Sequence, residues 1–262
     1  MDISPEITTE RAGSILRLQL NRPTKKNAMT SNMYATLADL LNQAAKDDEI
    51  RVVVVHGAGD SFTAGNDLED FLKNPPKPGE SVQERFVAAL VNFEKPLIAA
   101  VHGAAVGSGT TMLAHFDFVY AAETTRFQLP FINLAVVPEL GSSYSIPAAI
   151  GYIPAAELFL LGIPFNGRRA AELGVVTRVV AQDAVLATAM ETARALAEKP
   201  AMAMQASKKL LKRWSREQTE TAIKVETAEF GARVRSDEAR EAMNAFLQKR
   251  APDFTRTKTA RQ

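Results

Sequence analysis

Cysteine is absent from this 262-residue chain, and histidine and net charge are also scarce. Without cysteine the chain can form neither disulfides nor reactive thiolates, and a thiolate zinc site is excluded. The three histidines do not have the spacing of paired ligands on a zinc-binding helix. A formal net charge of +1 gives no overall field that would attract nucleic acid or a membrane surface.

Long hydrophobic runs and targeting signals are lacking as well. No segment reaches the roughly 20 apolar residues that a membrane span needs. The first residues, M-D-I-S-P-E, do not follow a basic-then-apolar pattern, and the last, T-A-R-Q, are not an S-K-L-type peroxisomal address. We therefore expect a soluble, cytoplasmic protein with no membrane partner.

Hydrophobic periodicity predicts strands and helices in alternation over the first three quarters of the chain. Alternating apolar and polar residues over 16–20 predict a half-buried strand, and the β-branched run 52–55 predicts a strand buried on both faces. Thr30 or Ser31 is expected to cap an amphipathic helix. The Pro-rich stretch 73–81 predicts an exposed loop.

The last quarter of the chain has a different character. Residues 201–249 contain no proline, one glycine and many charges, which is typical of helices. We predict an α/β core over residues 1–200, followed by a helical region over 201–262. Because such a region has too little core of its own, we expect it to pack against another surface in an oligomer.

A glycine-bearing turn carries the first chemical signal. The apolar run 97–101 predicts a buried strand, a turn containing Gly103, Gly107 and Gly109 follows, and an apolar helix is expected after it. The start of such a helix directs unpaired backbone N–H groups to one point, where they attract negative charge. A tight turn selected for packing is the alternative. The glycine spacing fits neither a dinucleotide fingerprint, a P-loop nor a nucleophile elbow.

A solitary carboxylate carries the second signal. Glu139 stands in the run A-V-V-P-E-L-G, and its apolar neighbours would raise its pKa toward a value useful for a general base. The alternative is a solvated carboxylate in a loop. An anion-stabilising turn and one carboxylate are the two parts that an enolate-forming enzyme needs.

The other polar residues in apolar surroundings have structural interpretations. We interpret the histidines as core or turn residues, and Asp117 as an acceptor for backbone donors at a helix–strand junction. Asp67, Glu69 and Asp70 are expected at the capped, exposed start of a helix.

Several segments together resemble the crotonase (enoyl-CoA hydratase/isomerase) superfamily, in that family's order and spacing. They are L-N-R-P-T-K-K-N-A-M, F-T-A-G-N-D-L, K-P-L-I-A-A-V-H-G-A-A-V-G-S-G and F-D-F-V-Y-A-A-E-T-T-R-F, and the resemblance extends through G-R-R-A-A-E-L-G-V-V and F-L-Q-K-R-A-P-D-F. It implies an α/β fold, a spiral of β–β–α turns followed by a C-terminal helical trimerisation region. It also implies a homotrimer or hexamer, an acyl-CoA substrate, and no metal or cofactor other than the coenzyme A of the substrate.

The resemblance also implies roles for individual residues. The thioester oxygen would lie between two backbone N–H groups, by position those of Ala64 and Ser108. Phe254 and Lys258 are candidates for closing over the ligand. The expected substrate-binding or CoA-binding residues are Lys25, Asn27, Ala28, Gly65, Asn66, Asp67, Leu68 and Gly107.

Departures from the family pattern indicate the reaction. Thr111 and Phe131 stand where hydratases of this family have their two glutamates, and neither side chain can activate water. The remaining Glu139 lies in P-E-L-G-S-S-Y, which resembles the P-E-G-x-S-S-Y of peroxisomal-type 3,2-trans-enoyl-CoA isomerases, with Leu140 in place of glycine. We therefore predict an isomerase that uses Glu139 as its single base. The alternatives are hydration or thioester hydrolysis, and a non-catalytic RNA-binding homologue that uses the basic residues at 207–216.

Overall fold

The computed structural model describes residues 4–74 and 81–256, so most of the Pro-rich stretch and Lys258 lie outside the described residues. The strands are β1 (Ile7–Ala12), β2 (Ile15–Leu20), β3 (Val52–Gly57), β4 (Leu97–Val101), β5 (Ala104–Val106), β6 (Phe118–Ala122), β7 (Arg126–Gln128), β8 (Phe165–Asn166) and β9 (Arg178–Val180). The helices are α1 (Ser31–Lys46), α2 (Leu68–Lys73), α3 (Val82–Val91), α4 (Ser108–Thr111), α5 (Ser142–Ile150), α6 (Tyr152–Leu161), α7 (Gly167–Glu172), α8 (Val185–Ala197), α9 (Ala201–Arg233) and α10 (Asp237–Leu247).

Two sheets organise the α/β part. The larger has six strands in the order β1-β2-β3-β4-β6-β9, and the smaller has the order β5-β7-β8. In the larger sheet only β1 pairs antiparallel. An isolated bridge between Thr63 and Ala105 extends the smaller sheet. Each of β3, β4 and β6 is thus followed by a strand or bridge of the smaller sheet and then by helix, which confirms the predicted β–β–α repeat.

The larger sheet is covered on both faces, as the apolar run 52–55 predicts. Val53 and Val55 belong to the core shared with α1 and α3, whereas Val52 and Val54 belong to the core shared with α8. Because parallel strands buried on both faces need apolar side chains at every position, the continuous valine run forms β3.

Helix α1 begins where the sequence predicts. The hydroxyl of Thr30 caps it by accepting from the N–H of Met33 at 3.3 Å, which satisfies a backbone donor that the first turn leaves free. The apolar face of α1 is buried in the core; its members are Met33, Leu37, Leu40, Leu41 and Ala44.

The basic first half of α9 packs against the α/β core. Lys208 is 8% exposed, and its Nζ lies 2.6 Å from Oδ2 of Asp117. Asp117 also accepts the N–H of Leu97 at 2.8 Å, which confirms its predicted junction role. Lys212 donates to the carbonyl of His115, and Arg216 lies 3.9 Å from Glu94.

These pairings occupy several of the cations that an RNA-binding homologue would present to a phosphate backbone, which weighs against that alternative.

Helices α6 and α9 expose large apolar side chains. Within residues 4–74 and 81–256, no helix has both the length and the apolar character of a membrane span. The exposed apolar side chains of these two helices are Tyr152, Ile153, Leu160, Leu161, Met202, Leu210, Leu211, Trp214 and Val225.

Candidate active site

A cleft of about 580 Å³ opens where the segment after β3 meets the turn after β5. Phe246 and Leu247 of α10 contribute to its wall. Phe254 does not line the cleft in the described part of the chain. Nearly all the predicted site residues do line it, namely Lys25, Ala28, Ala64, Gly65, Asn66, Asp67, Leu68, Gly107 and Ser108. Sequence segments about 40 residues apart therefore meet as the resemblance implies.

Asn27 is a correction to the predicted binding set. The residue is 0% exposed, its Oδ1 accepts the N–H of Arg22, and its Nδ2 donates to the carbonyls of Ala58 and Ser61. Because every polar atom of the side chain is engaged inside the protein and the residue does not line the cleft, the side chain of Asn27 holds the loop in shape.

Asp67 lines the cleft, but its carboxylate is already engaged. It caps α2 by accepting from the N–H of Asp70 at 3.0 Å, and it lies 2.5 Å from Nη1 of Arg22. Although burial opposes ionisation, these partners hold the pKa of Asp67 below its usual value. The predicted capping role is confirmed, but the residue is buried and not exposed.

Two glycines allow the two sides of the cleft to approach closely. Gly65 has a φ of +85°, and a Cβ atom at this position would lie 2.5 Å from the carbonyl oxygen of Val106 and 3.7 Å from the nitrogen of Ser108. Gly107, with φ 56° and ψ −120°, has a backbone conformation that glycine adopts readily and other residues do not. Together they place the backbone around residue 65 beside the N–H of Ser108.

The structure reassigns one of the two predicted N–H donors. The N–H of Ala64 donates to the carbonyl of Lys26 at 2.9 Å, so it cannot bind a thioester oxygen. The prediction for Ala64 is therefore wrong. Two residues further on, the N–H of Asn66 has no acceptor among the described residues, and neither has that of Ser108. Asn66 and Ser108 are thus the candidate pair.

Glu139, the predicted base, is not among the residues that line the cleft; it lies in the loop that precedes α5 and contacts Thr111, in the helix that Ser108 begins. Its Oε1 accepts from the hydroxyl of Thr111 at 3.2 Å. It also borders a second, smaller pocket of about 50 Å³ together with Asn66, Leu140 and Glu226. Burial, reinforced by the charge of Glu226, raises the pKa of Glu139 to about 8, although hydrogen bonds from Thr111 and Asn66 oppose the rise. The environment is therefore that of a general base and not of a solvated loop carboxylate.

The turn that carries Glu139 is fixed by contacts from two distant parts of the chain. Nε2 of His115 lies 2.7 Å from the carbonyl oxygen of Leu140. The two oxygens of Glu226, on α9, accept the N–H groups of Gly141 at 2.6 Å and Ser143 at 2.7 Å. Because both oxygens of Glu226 accept backbone N–H groups, Glu226 anchors this turn, and Glu139 is the candidate base of the pair.

Tyr34 is a residue that the sequence interpretation missed. Its hydroxyl lies 2.5 Å from Oδ1 of Asn66 and 2.7 Å from Oγ of Ser108, and its ring lies on the buried face of α1. In the sequence, Tyr34 has the pattern expected of an ordinary aromatic residue on the buried face of a helix. Nothing in the local sequence shows that its hydroxyl reaches two segments that are 32 and 74 residues away.

The chain is similar in sequence and structure to several known proteins. The family model described as enoyl-CoA hydratase/isomerase matches residues 10–257. The chain is 35% identical over 249 residues to 1,2-epoxyphenylacetyl-CoA isomerase of Escherichia coli (strain K12), covering 92% of the chain and 95% of that protein. It is 34% identical over 247 residues to enoyl-CoA delta isomerase 2 of Rattus norvegicus, covering 92% of the chain but 62% of the rat protein. The solved structure of Pseudomonas aeruginosa OdaA is similar with a TM-score of 0.91 and 42% identity, covering 93% of this chain and 99% of that chain.

Proposed function

Because the chain belongs to the enoyl-CoA hydratase/isomerase family, we propose that it converts a 3-enoyl-CoA into the conjugated trans-2-enoyl-CoA. The observation that carries this proposal is the environment of Glu139: one partly buried carboxylate with a raised pKa, near two backbone N–H groups that have no acceptor among the described residues. Thr111 and Phe131 occupy the positions where the resemblance would require the two hydratase glutamates. Thr111 donates to Glu139, and Phe131 is buried against Phe159.

Binding would place the thioester oxygen between the N–H groups of Asn66 and Ser108. Negative charge develops on that oxygen as a proton leaves the adjacent carbon, and preorganised donors stabilise it at about 3 kcal/mol each. The N–H groups bind the dienolate more strongly than the neutral thioester, so they lower the barrier and not only the dissociation constant.

Glu139 would then move one proton. Its carboxylate takes a proton from carbon 2; the C2–H electrons form a C1–C2 double bond, and the thioester C=O electrons move to the oxygen. The dienolate then takes the same proton from Glu139 at carbon 4, which leaves the double bond between carbons 2 and 3. The atoms and charges balance, because the carboxylate is regenerated in each turnover.

The assembly remains part of the proposal. Helices α6 and α9 each expose several large apolar side chains, and contiguous exposed apolar patches commonly mark interaction surfaces. We propose that copies of this chain cover them in a homotrimer or a hexamer.

The proposed reaction is tested by offering the purified protein two substrates. With 3-hexenoyl-CoA we expect 2-hexenoyl-CoA, identified by chromatography and mass spectrometry of the product. With crotonyl-CoA we expect little or no 3-hydroxybutyryl-CoA. If hydration of crotonyl-CoA or release of free coenzyme A is faster than the double-bond shift, the alternative of a hydratase or a thioester hydrolase replaces the isomerase.

The pH dependence of turnover follows from the raised pKa of Glu139. Only the ionised carboxylate can remove a proton, so we expect kcat/KM to rise with pH and to level off above a pKa of about 8. An ordinary solvated glutamate would already give the plateau at pH 6. A kcat/KM that is flat between pH 6 and 9 would contradict the assignment; stopped assays in overlapping buffers measure it.

Leu140 is predicted to limit the acyl group that fits beside Glu139. Its side chain is buried and borders the small pocket, although its φ of 58° is a conformation that favours glycine. We expect Leu140→Gly to raise kcat/KM for longer acyl chains relative to hexenoyl. Release of about 1 kcal/mol of backbone strain would partly offset the lost burial. A panel of 3-enoyl-CoA chain lengths measures the shift, and an unchanged preference would exclude this role for Leu140.

A further inference from the structure

The hydroxyl of Tyr34 joins the two sides of the candidate site. It is the point at which Asn66, beside the base, and Ser108, beside the thioester oxygen, are connected through side chains. Tyr34 is 1% exposed, and its ring packs against Phe86 with the ring centres 5.4 Å apart. Packing therefore holds the phenol in place, so that it can act as a fixed support for both neighbours.

The directions of these hydrogen bonds follow from the atoms involved. A phenol has one hydrogen, and the carboxamide oxygen of Asn66 can only accept. Tyr34 must therefore donate to Oδ1 of Asn66 whenever that bond is made, and the hydroxyls of Tyr34 and Ser108 share the second hydrogen bond. Burial, together with the nearby charge of Glu139, raises the pKa of Tyr34 well above its usual value, so the phenol keeps this proton throughout the working pH range.

Fixing one end of the Asn66 carboxamide also fixes the other. With Oδ1 held by Tyr34, the NH₂ group points away from the phenol. Asn66 and Glu139 border the same small pocket, and a hydrogen bond from Asn66 opposes the rise in the pKa of Glu139. Without Tyr34, the carboxamide could rotate and present its oxygen to the carboxylate, which would repel it.

We propose that Tyr34 is a positioning residue, which orients the carboxamide of Asn66 so that its NH₂ group holds the Glu139 carboxylate in place for proton transfer. This inference rests on the proposed function, because it assigns Glu139 as the base. It adds a residue on α1 whose action passes through Asn66 and involves no contact with the substrate.

The first test is Tyr34→Phe, which removes one hydroxyl and keeps the ring. We expect kcat to fall about tenfold, as is typical for the loss of one hydrogen bond to a charged or charge-bearing group, with KM changed by less than about twofold. The acid limb of the pH profile should move to higher pH, because the carboxylate loses a donor. Tyr120→Phe is the matched control: its hydroxyl bonds Thr192 on α8, away from the cleft, and its kinetics should equal those of the wild type.

The route of the effect is tested by combining variants. Asn66→Ala removes the carboxamide but keeps the backbone N–H. If Tyr34 acts through Asn66, adding Tyr34→Phe to Asn66→Ala should cause no further loss of kcat. If the two losses multiply, or if Tyr34→Phe is instead redundant with Ser108→Ala, the inference is overturned.

Titration of Glu139 separates this inference from the proposed reaction. The carboxyl carbon of Glu139 can be followed by ¹³C NMR without substrate, with Glu139→Gln to assign the signal. The signal should titrate at higher pH in Tyr34→Phe and in Asn66→Ala than in the wild type or in Tyr120→Phe. Equal titration in all four proteins overturns the positioning role even if 3-enoyl-CoA is isomerised. A shifted titration in Tyr34→Phe supports it even if another acyl-CoA is the substrate. Should Tyr34→Phe fail to fold, equal titration in Asn66→Ala and the wild type would still overturn the inference, because the carboxamide would then not act on Glu139.

Discussion

Replacing Glu139 by glutamine is expected to lower kcat for 3-hexenoyl-CoA by about 10³–10⁴-fold, because the amide cannot accept the proton from carbon 2. The amide oxygen can still accept from Thr111, which now donates to the carboxylate, so the loop should keep its position. Acyl-CoA binding should change by less than about threefold, since the N–H groups of Asn66 and Ser108 are untouched. Single-turnover assays and calorimetric titration with a saturated acyl-CoA measure the two effects.

The control for this variant is Glu191→Gln, an exposed position on α8, which should have wild-type kinetics. Stability supplies a second check. Burial raises the folded-state pKa of Glu139 from 4.5 to about 8, so ionised Glu139 destabilises the fold and the free energy of unfolding falls as pH rises through this window. Glu139→Gln lacks this contribution and should be more stable than the wild type at pH 9 but not at pH 4. Retained activity in a folded Glu139→Gln protein would refute the base assignment.

Gly65→Ala is expected to lower kcat/KM by about 10²–10³-fold, because it displaces the N–H groups of Asn66 and Ser108 while leaving the base Glu139 in place. The added Cβ would lie 2.5 Å from the carbonyl oxygen of Val106, a distance that forces the two backbones apart. Since Asn66 and Ser108 lie on opposite sides of this contact, their N–H groups can no longer converge on one oxygen. The variant should retain the pH dependence of the wild type while losing affinity for enolate analogues.

Backbone strain alone must be separated from this steric effect. Gly174 has a φ of 83°, nearly the same as the 85° of Gly65, but a Cβ there would meet nothing within 4 Å. Gly174→Ala should therefore cost about 1 kcal/mol of stability and leave kcat/KM unchanged. Equal kinetic effects in Gly65→Ala and Gly174→Ala would show that close approach at the cleft is unimportant.

The sequence predicts those parts of the fold that have a strong local pattern. The valine run of β3 and the capped apolar face of α1 form as expected, because burial on two faces or on one helical stripe dictates side-chain type at each position. β7 and β8 were not predicted. Strands of three and two residues are too short to show a period, and their existence depends on pairing with β5 and with each other.

In the candidate site, too, some features have a local sequence signal and others depend on contacts between distant segments. Glu139 is predicted as the base because its apolar run leaves two interpretations open and the resemblance of P-E-L-G-S-S-Y to the isomerase motif favours one of them. The choice between Ala64 and Asn66 as donor could not be made in this way, because it depends on which N–H meets the carbonyl of Lys26 across the loop. The prediction that Asn27 binds the ligand failed for a similar reason. Its side-chain amide donates to the carbonyls of Ala58 and Ser61, and the local sequence around Asn27 does not show that these residues lie nearby.

Glu226 has a consequence for how the chain can be divided. This carboxylate is part of the C-terminal helix, yet its two oxygens immobilise the peptide that presents Glu139. Helix α9 is therefore part of the proposed active site, in addition to the contacts between copies that we propose for it. An N-terminal fragment that stops at the end of α8 would keep both sheets and the His115 contact with Leu140, but the turn that carries Glu139 would lose both hydrogen bonds to Glu226. We therefore expect such a fragment to lack activity even if it folds.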